Sequence, residues 1–498
     1  MDFYLEPEKA KERVLSAPYK LSFGKQLSQD ISLPDFYEDL ARVIDCSARA
    51  AVTQSTLSGG VLSVTGEASY CVLYYSDKDS VLHRFCFEQE FEAKWDTDTG
   101  AELLELTLFC REPSVKIYGS RKLSVTMDCD FTAYMSESVL LESADTENAE
   151  LLKGEEESFT FERLDSERSR FSEDFVLPAE YPSAEEIVYW DMTSGSVRCD
   201  QRSDGFIVNS DARLSLIYTT EDGEYVKFIT NLPLTRFIRS SGGDAVRSRM
   251  LIFSPKCAAV SDSNGENRRI ALDFELSASS LVYRKKSFSY VADAYSTECA
   301  SQPKKKELSS GRMQGLVESK LNIREHIEND GDIKELLSVR IAPELSKTRC
   351  DGEMLYGEGV LKCTLLAKTE GGGMSAYEHE VTFDVSLKLP QDAKATQISL
   401  ETDNVSFGDS EGGFELSAEL FVSVFAFGEK KCAHVYGIEL GEREEESGLS
   451  MLIYYPDRDE SLWDIGKKHR VSTERISAAN GLDTEALTNK KFILIPKK

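Results

Sequence analysis

Short runs of alternating apolar and polar residues, separated by turn residues, fill this chain up to about Leu440. A period of two sends successive side chains to opposite faces of a strand, so the texture restricts the chain to a mainly all-β architecture. Residues 61–75 form one long pair of strand signals, and residues 103–110 and 123–134 follow, with Pro113 and Gly119 as punctuation between them.

The texture recurs. Residues 205–218 and 354–366 repeat the pattern of 61–75, a strand leading through small or polar residues into a second apolar-rich strand. Each is followed by a charged turn and then by a strand carrying Phe85/Phe87, Val226/Phe228 or Val381/Phe383. Another alternating strand closes each copy, at 123–131, 270–276 and 414–425. Two lead-in segments also correspond, Leu33-Pro34-Asp35-Phe36-Tyr37 with Ile44, and Leu177-Pro178-Ala179-Glu180-Tyr181 with Ile187. Three copies of roughly 130 residues are therefore expected, at 1–141, 158–295 and 311–441. Linkers are expected at 142–157, rich in Glu and Ala, and at 296–310, where Pro303-Lys304-Lys305-Lys306 reads as a solvated tether. Residues 442–448 (Glu-Arg-Glu-Glu-Glu-Ser-Gly) read as a hinge before a last domain at 449–498.

With 498 residues the chain has length for several cores, and its composition is that of a globular protein. The net charge of -29 argues against nucleic acid as a main partner and against docking on anionic lipid, because both need concentrated basic surface. The N-terminus is acidic and shows no basic segment followed by an apolar run, and nothing approaches a membrane-spanning stretch, so a cytoplasmic location is expected. Eleven cysteines, scattered singly and without a C-x-x-C pair, read as small buried hydrophobes in a reducing compartment.

The last fifty or so residues change texture. Ser461 precedes Leu462, Trp463, Ile465 and Gly466 and can cap a helix with an apolar face; Ser472 starts a second helix that Asn480-Gly481 ends. Strands at 451–455 and 492–495 pair beside them, and Trp463 is expected in the small core. The order Tyr454 to Ile465, then Val471-Ser472, Ile476 to Leu482 and Phe492 to Pro496 resembles a LysM domain, a βααβ binding module. The resemblance implies partner-binding loops at Asp459, Glu460 and Ser461 and at Asn489 and Lys490. The family's Gly-Asp-Thr is here Asp459-Glu460-Ser461, and a family glycine is Lys490, which argues against close approach of backbone to a sugar.

Leu33-Pro34-Asp35-Phe36, Gly66-Glu67 with Val72-Leu73-Tyr74, and Val291-Ala292-Asp293-Ala294-Tyr295-Ser296 resemble the SPOCS domain of endospore-forming bacteria, often repeated and followed by a C-terminal LysM domain. The combined resemblance implies a non-enzymatic structural adaptor of spore-coat assembly in the mother-cell cytoplasm at the forespore surface. Its implied partners are the coat-basement morphogenetic ATPase and other coat proteins. An exposed strand edge would allow self-association by strand addition. The alternative is a cell-wall or cortex protein that binds the acetylglucosamine chain of peptidoglycan.

Signals for catalysis are sparse. The five histidines, His83, His326, His379, His434 and His469, lie far apart without metal-ligand spacing. Glu378-His379-Glu380 alternates faces of a strand, and Gly371-Gly372-Gly373 reads as a hairpin tip rather than a phosphate cradle. With 87 acidic residues some carboxylates must lie close together, so no pair stands out as a glycosidase site. No catalytic residue, metal or cofactor is expected.

Overall fold

The computed structural model describes residues 12–76, 78, 81–141, 149–261, 265–329, 331–393, 395–443, 450–457, 460–482 and 491–497. Strands dominate, in three successive units with one strand plan, and no helix among the described residues is long and apolar enough to cross a membrane.

The first unit contains β1 (Glu12–Leu15), β2 (Tyr19–Ser32), β3 (Leu40–Ser58), β4 (Val61–Ser76), β5 (Leu82–Asp96), β6 (Ala101–Cys110), β7 (Ser114–Gly119) and β8 (Lys122–Leu141). One antiparallel sheet runs β3-β4-β5; in the other, β8 is central and pairs with β1, β2, β6 and β7. The second unit contains β9 (Ala149–Asp165), β10 (Ser169–Val176), β11 (Glu186–Ser194), β12 (Arg198–Arg202), β13 (Gly205–Thr219), β14 (Tyr225–Arg239), β15 (Ala245–Val260) and β16 (Arg269–Ser296). Here β13 lies between β14 and the pair β11 and β12, while β16 pairs with β9, β10 and β15. The third contains β17 (Cys299–Glu328), β18 (Ile333–Asp351), β19 (Met354–Thr369), β20 (Met374–Lys388), β21 (Ala395–Ser410) and β22 (Gly413–Arg443), in sheets β18-β19-β20 and β17-β22-β21. The recurring segments of the sequence fall on equivalent strands: 61–75, 205–218 and 354–366 form the centres of the first sheets, and 123–131, 270–276 and 414–425 lie in the centres of the second.

Each unit packs its two sheets face to face, as the alternation requires. In the first, Leu62, Val64, Tyr70 and Val72 of β4 meet Leu123, Val125, Met127 and Phe131 of β8 in one buried cluster. Burying side chains of this size contributes about 1.5–3 kcal/mol each. The central strand needs a small residue where the partner strand crowds it. A Cβ at Gly66 would meet the Phe91 ring and the Ala51 carbonyl, and one at Gly359 would meet Phe383 and the carbonyl of Glu344. The lead-in segments also fold alike. Arg121 donates to the carbonyls of Leu33 (3.3 Å), Pro34 (2.6 Å) and Tyr37 (3.1 Å). Arg268 donates to those of Leu177 (3.1 Å), Pro178 (2.7 Å) and Tyr181 (2.8 Å).

The three units close on one another. An apolar cluster gathers Leu104 and Tyr134 from the first, Phe159, Leu281 and Tyr283 from the second, and Met313, Phe425 and Phe427 from the third. Another joins Leu73 and Leu82 to Val188, Tyr189 and Ile217 and to Leu337, Leu366 and Met374. Beside the first cluster, Glu105, Arg247 and Gln397 occupy matching places, each opposite the equivalent residue of its last strand, Tyr134, Leu281 and Phe425. Arg247 pairs with Glu105 and donates to the Gln397 carbonyl (3.2 Å), while Arg249 lies 3.1 Å from the same carboxylate. Tyr283 donates to the Gln397 side-chain oxygen at 2.6 Å. The hairpin tip at 371–373 is also confirmed, with Met374 N–H donating to the Tyr75 hydroxyl of the first unit (2.6 Å).

The two expected linkers need correction. Residues 149–157, within the expected linker 142–157, are strand β9 paired with β16; residues 142–148 lie outside the described residues. Residues 299–310, within the expected linker 296–310, are strand β17 paired with β22; Lys304 meets Glu439 (2.6 Å) and Lys305 meets Asp293 (3.2 Å). Of the hinge 442–448, residues 442 and 443 end β22 and the rest lies outside the described residues. The cysteines are not uniformly buried thiols either: Cys71 and Cys86 form a disulfide, and Cys350 is exposed.

The buried charge pair yields the first prediction. Glu105→Ala strands Arg247 in an apolar junction, which costs about 3–5 kcal/mol. Denaturant unfolding of this variant is expected at clearly lower midpoint, whereas Glu442→Ala at the exposed end of β22 is expected to leave the midpoint unchanged.

Candidate functional site at the C-terminal module

The module consists of β23 (Met451–Tyr454), α1 (Leu462–His469), α2 (Thr473–Asn480) and β24 (Ile493–Pro496), with β23 and β24 antiparallel. Leu462, Ile465, Val471, Ile476, Ile493 and Ile495 make its core. Ser461 caps α1 in a reciprocal capping box: its hydroxyl accepts from Asp464 N–H (3.1 Å), and the Asp464 carboxylate accepts from Ser461 N–H (3.0 Å). Ser472 caps α2, and Gly481 ends it in the left-handed conformation. Asn480 then ties α2 to β24, its amide donating to Leu494 O (2.6 Å) while its oxygen accepts from Leu494 N–H (2.8 Å).

Of the expected binding residues, Asp459, Asn489 and Lys490 lie outside the described residues. Glu460 and Ser461 are described, and both serve the module itself. The Glu460 carboxylate accepts from the Tyr454 hydroxyl (2.8 Å) and from Asp457 N–H (3.2 Å), with Lys468 at 3.6 Å. Burial alone would raise this carboxyl, but those donors outweigh it and hold the pKa below the usual range. Two of the five residues therefore hold the first loop in shape.

Trp463 is the next correction. It is half-buried and absent from the core; its ring packs edge-on against Tyr295 of β16, 4.8 Å between centroids. The indole N–H donates to Asp293 (3.0 Å), which also receives Lys467 (2.5 Å) and faces Lys305 (3.2 Å). The Tyr295 hydroxyl donates to Val471 O (2.8 Å), and Gly466 leaves room for it, since a Cβ there would meet that hydroxyl. The outward side of α1 thus docks the module on the end of the second unit. A helical pattern cannot distinguish an apolar residue facing its own core from one facing a neighbour, and Trp463 faces the neighbour. Asp293 and Tyr295 were legible only as part of the run 291–296.

On the far side of the two-stranded sheet, Met451, Ile453, Tyr455 and Phe492 are exposed, and the Tyr455 and Phe492 rings lie 6.4 Å apart. Elsewhere a cleft of about 1570 Å³ opens where the three units meet, lined among others by Lys20, Arg168, Arg249, Lys347 and Glu401. Among the described residues no group of His, Cys, Asp and Glu could hold a metal ion.

Burial pushes the Asp293 carboxyl up, but hydrogen bonds from Lys467, Trp463 and Lys305 prevail and place it below its ordinary value of 3.8. A depressed carboxyl stabilises docking fully above that ordinary value, and the contribution disappears as pH falls through the depressed one. Asp293→Ala at neutral pH is expected to release the module, read as a larger radius of gyration in solution scattering with little change in melting temperature. In the parent protein the same expansion is expected only below about pH 4.

Comparison with family models, with curated proteins and with solved structures returns no match to this chain.

Proposed function

We propose that this chain is a non-enzymatic structural adaptor of spore-coat assembly, in which three β units form a rigid body and the C-terminal LysM-like module binds a coat protein. The observation that carries this reading is the attachment of the module. The βααβ element order occurs where the LysM resemblance implies it, and the module is fixed through Trp463, Lys467 and Val471. Glu460 and Ser461, the described residues of the expected binding loops, make their hydrogen bonds within the module. Rigid attachment suits an adaptor, because holding a binding element at a set place on a body reduces the entropy lost on association. The three SPOCS-like units also fit a scaffold: ion pairs such as Arg340 on Asp45 (2.6 and 3.0 Å) tie one unit to another. On this reading the partner is the coat-basement ATPase, and the setting is the mother-cell cytoplasm at the forespore surface.

A second reading is favoured by one observation. Tyr455 and Phe492 are 70% and 47% exposed and neighbour each other on the module surface, as rings that stack on sugar faces would. This would make the module a peptidoglycan-glycan binder.

The experiment presents the full chain to two baits, the immobilised ATPase of the same organism and purified peptidoglycan. The adaptor reading expects retention on the ATPase that falls with Asp459→Ala combined with Lys490→Ala and is unchanged by Tyr455→Ala. Retention on peptidoglycan that falls with Tyr455→Ala and Phe492→Ala would replace it with the glycan reading.

A further inference from the structure

Cys71 on β4 and Cys86 on β5 are directly opposite in the strand register and joined by a disulfide. The two strands are already paired from Val61–Asp96 to Tyr75–Leu82, so the hairpin has its own ladder without the bond. The disulfide borders a cavity of about 410 Å³ between the first and second units, with Tyr70 and Phe87 on one side and Trp190 and Pro255 on the other. Cys86 is exposed, while Cys71 is half-buried.

Arg84 gives this disulfide its distinctive chemistry. Its Nε donates to Cys86 Sγ and its Nη2 to Cys71 Sγ, both at 3.0 Å, and the guanidinium lies over the Trp190 ring. The third arm, Nη1, is buried without a hydrogen-bond partner. A disulfide sulfur is a weak acceptor, so the half-buried guanidinium, stacked on Trp190, has weak acceptors for two arms and none for its buried Nη1. A thiolate would satisfy it far better. Of the other charges at the cavity, Arg49 pairs with Asp191 (2.5 Å) and Glu88 accepts from the Ser254 hydroxyl (2.6 Å), while Lys256 also lines the space. Burial lowers the Arg84 pKa to about 9, so the side chain is charged at neutral pH. Burial also pushes the thiol of Cys257, near Arg84, up to about 12, which makes it a poor internal attacker.

We propose that Cys71–Cys86 is a thiol–disulfide exchange centre for low-molecular-weight thiols, with Arg84 holding the thiolate that leaves. The incoming thiolate attacks the exposed Cys86 sulfur. The S–S bond breaks, its electron pair stays on Cys71, and that thiolate settles in the fork of Arg84. A mixed disulfide now joins Cys86 to the small thiol. A second small thiol attacks the sulfur of the small molecule, releasing Cys86 and forming a small-molecule disulfide. In balance, two thiols are oxidised to one disulfide and the protein disulfide is reduced by two electrons. The two thiol protons go to Cys86 and to water, leaving Cys71 ionised. A positive charge beside the leaving sulfur lowers its thiol pKa, and a lower leaving-group pKa speeds exchange. This inference is independent of the proposed adaptor role.

The test uses the full folded chain, purified without reductant and exposed to glutathione, with alkylation and peptide mass spectrometry to locate each sulfur. The expected result is a Cys71–Cys86 link at the start, reduced by glutathione while circular dichroism stays native. Arg84→Gln is expected to slow that reduction about tenfold, and Arg84→Lys to restore part of the rate. In Cys71→Ser, Cys86 is expected to form a mixed disulfide with oxidised glutathione in the folded protein. That last readout stands even where Arg84 variants fail to fold. Free thiols at both positions in the purified protein, reduction only in denaturant, or equal rates in parent and folded Arg84→Gln would each overturn the proposal.

Discussion

The arrangement of the three β units depends on the place where Glu105, Arg247 and Gln397 meet. Three units with one strand plan could pack around one another in more than one order, since their apolar faces are chemically alike. The buried polar position removes that freedom. A carboxylate from the first unit and a backbone carbonyl from the third both receive the guanidinium of the second in the observed arrangement. Burying the pair gains little stability over an apolar substitute, because desolvation offsets the attraction. Its effect falls on the alternatives: any arrangement that separates Arg247 from Glu105 leaves a charge buried without a partner. Arg247 is 7% exposed and Glu105 8%, so little water reaches either.

The aromatic residues around this position then have a defined setting. Tyr283 touches Phe159, Phe425 and Phe427 with ring centroids 4.8 to 5.6 Å apart, and its hydroxyl reaches Gln397. Burial raises that phenol well above its ordinary value, which keeps it a hydrogen-bond donor at any physiological pH. From there β16 and β22 extend past the sheets, and Phe288 joins Val14, Leu141 and Leu308 in a further cluster. The chain thus carries order outward from the junction to Asp293 and Tyr295, where the C-terminal module docks.

Legibility in the sequence followed burial. The central strands face a core on one side, so their alternation was plain, and β4, β13 and β19 were located with their repeats. The Leu-Pro segments were legible as a repeated lead-in, although the arginines that hold them, Arg121 and Arg268, lie far away in sequence and were not connected to them. Where strands leave the sandwich the signal fails. In β9 and β17 charged residues such as Glu155, Glu157, Lys304 and Lys306 occupy a ribbon with much solvent around it, so the apolar half of the alternation is missing. Those stretches resembled linkers for that reason. The Cys71–Cys86 bond was hidden in another way: a cross-strand pair depends on register, and one residue of slip would place the two sulfurs on opposite faces.

The position of the module links the fold to the functional reading. A carboxylate shared by Trp463, Lys467 and Lys305 orients one helix against the body, and Tyr295 completes the seat by occupying the space that Gly466 leaves. A tether alone would leave the module to sample many orientations, and each binding event would then have to fix one of them. Docking through α1 settles the orientation beforehand. It also turns Trp463, which in an isolated domain of this size would be spare apolar surface, into a contact with the rest of the chain. The placement of the module against the body therefore turns on Asp293, where the indole and two lysines converge.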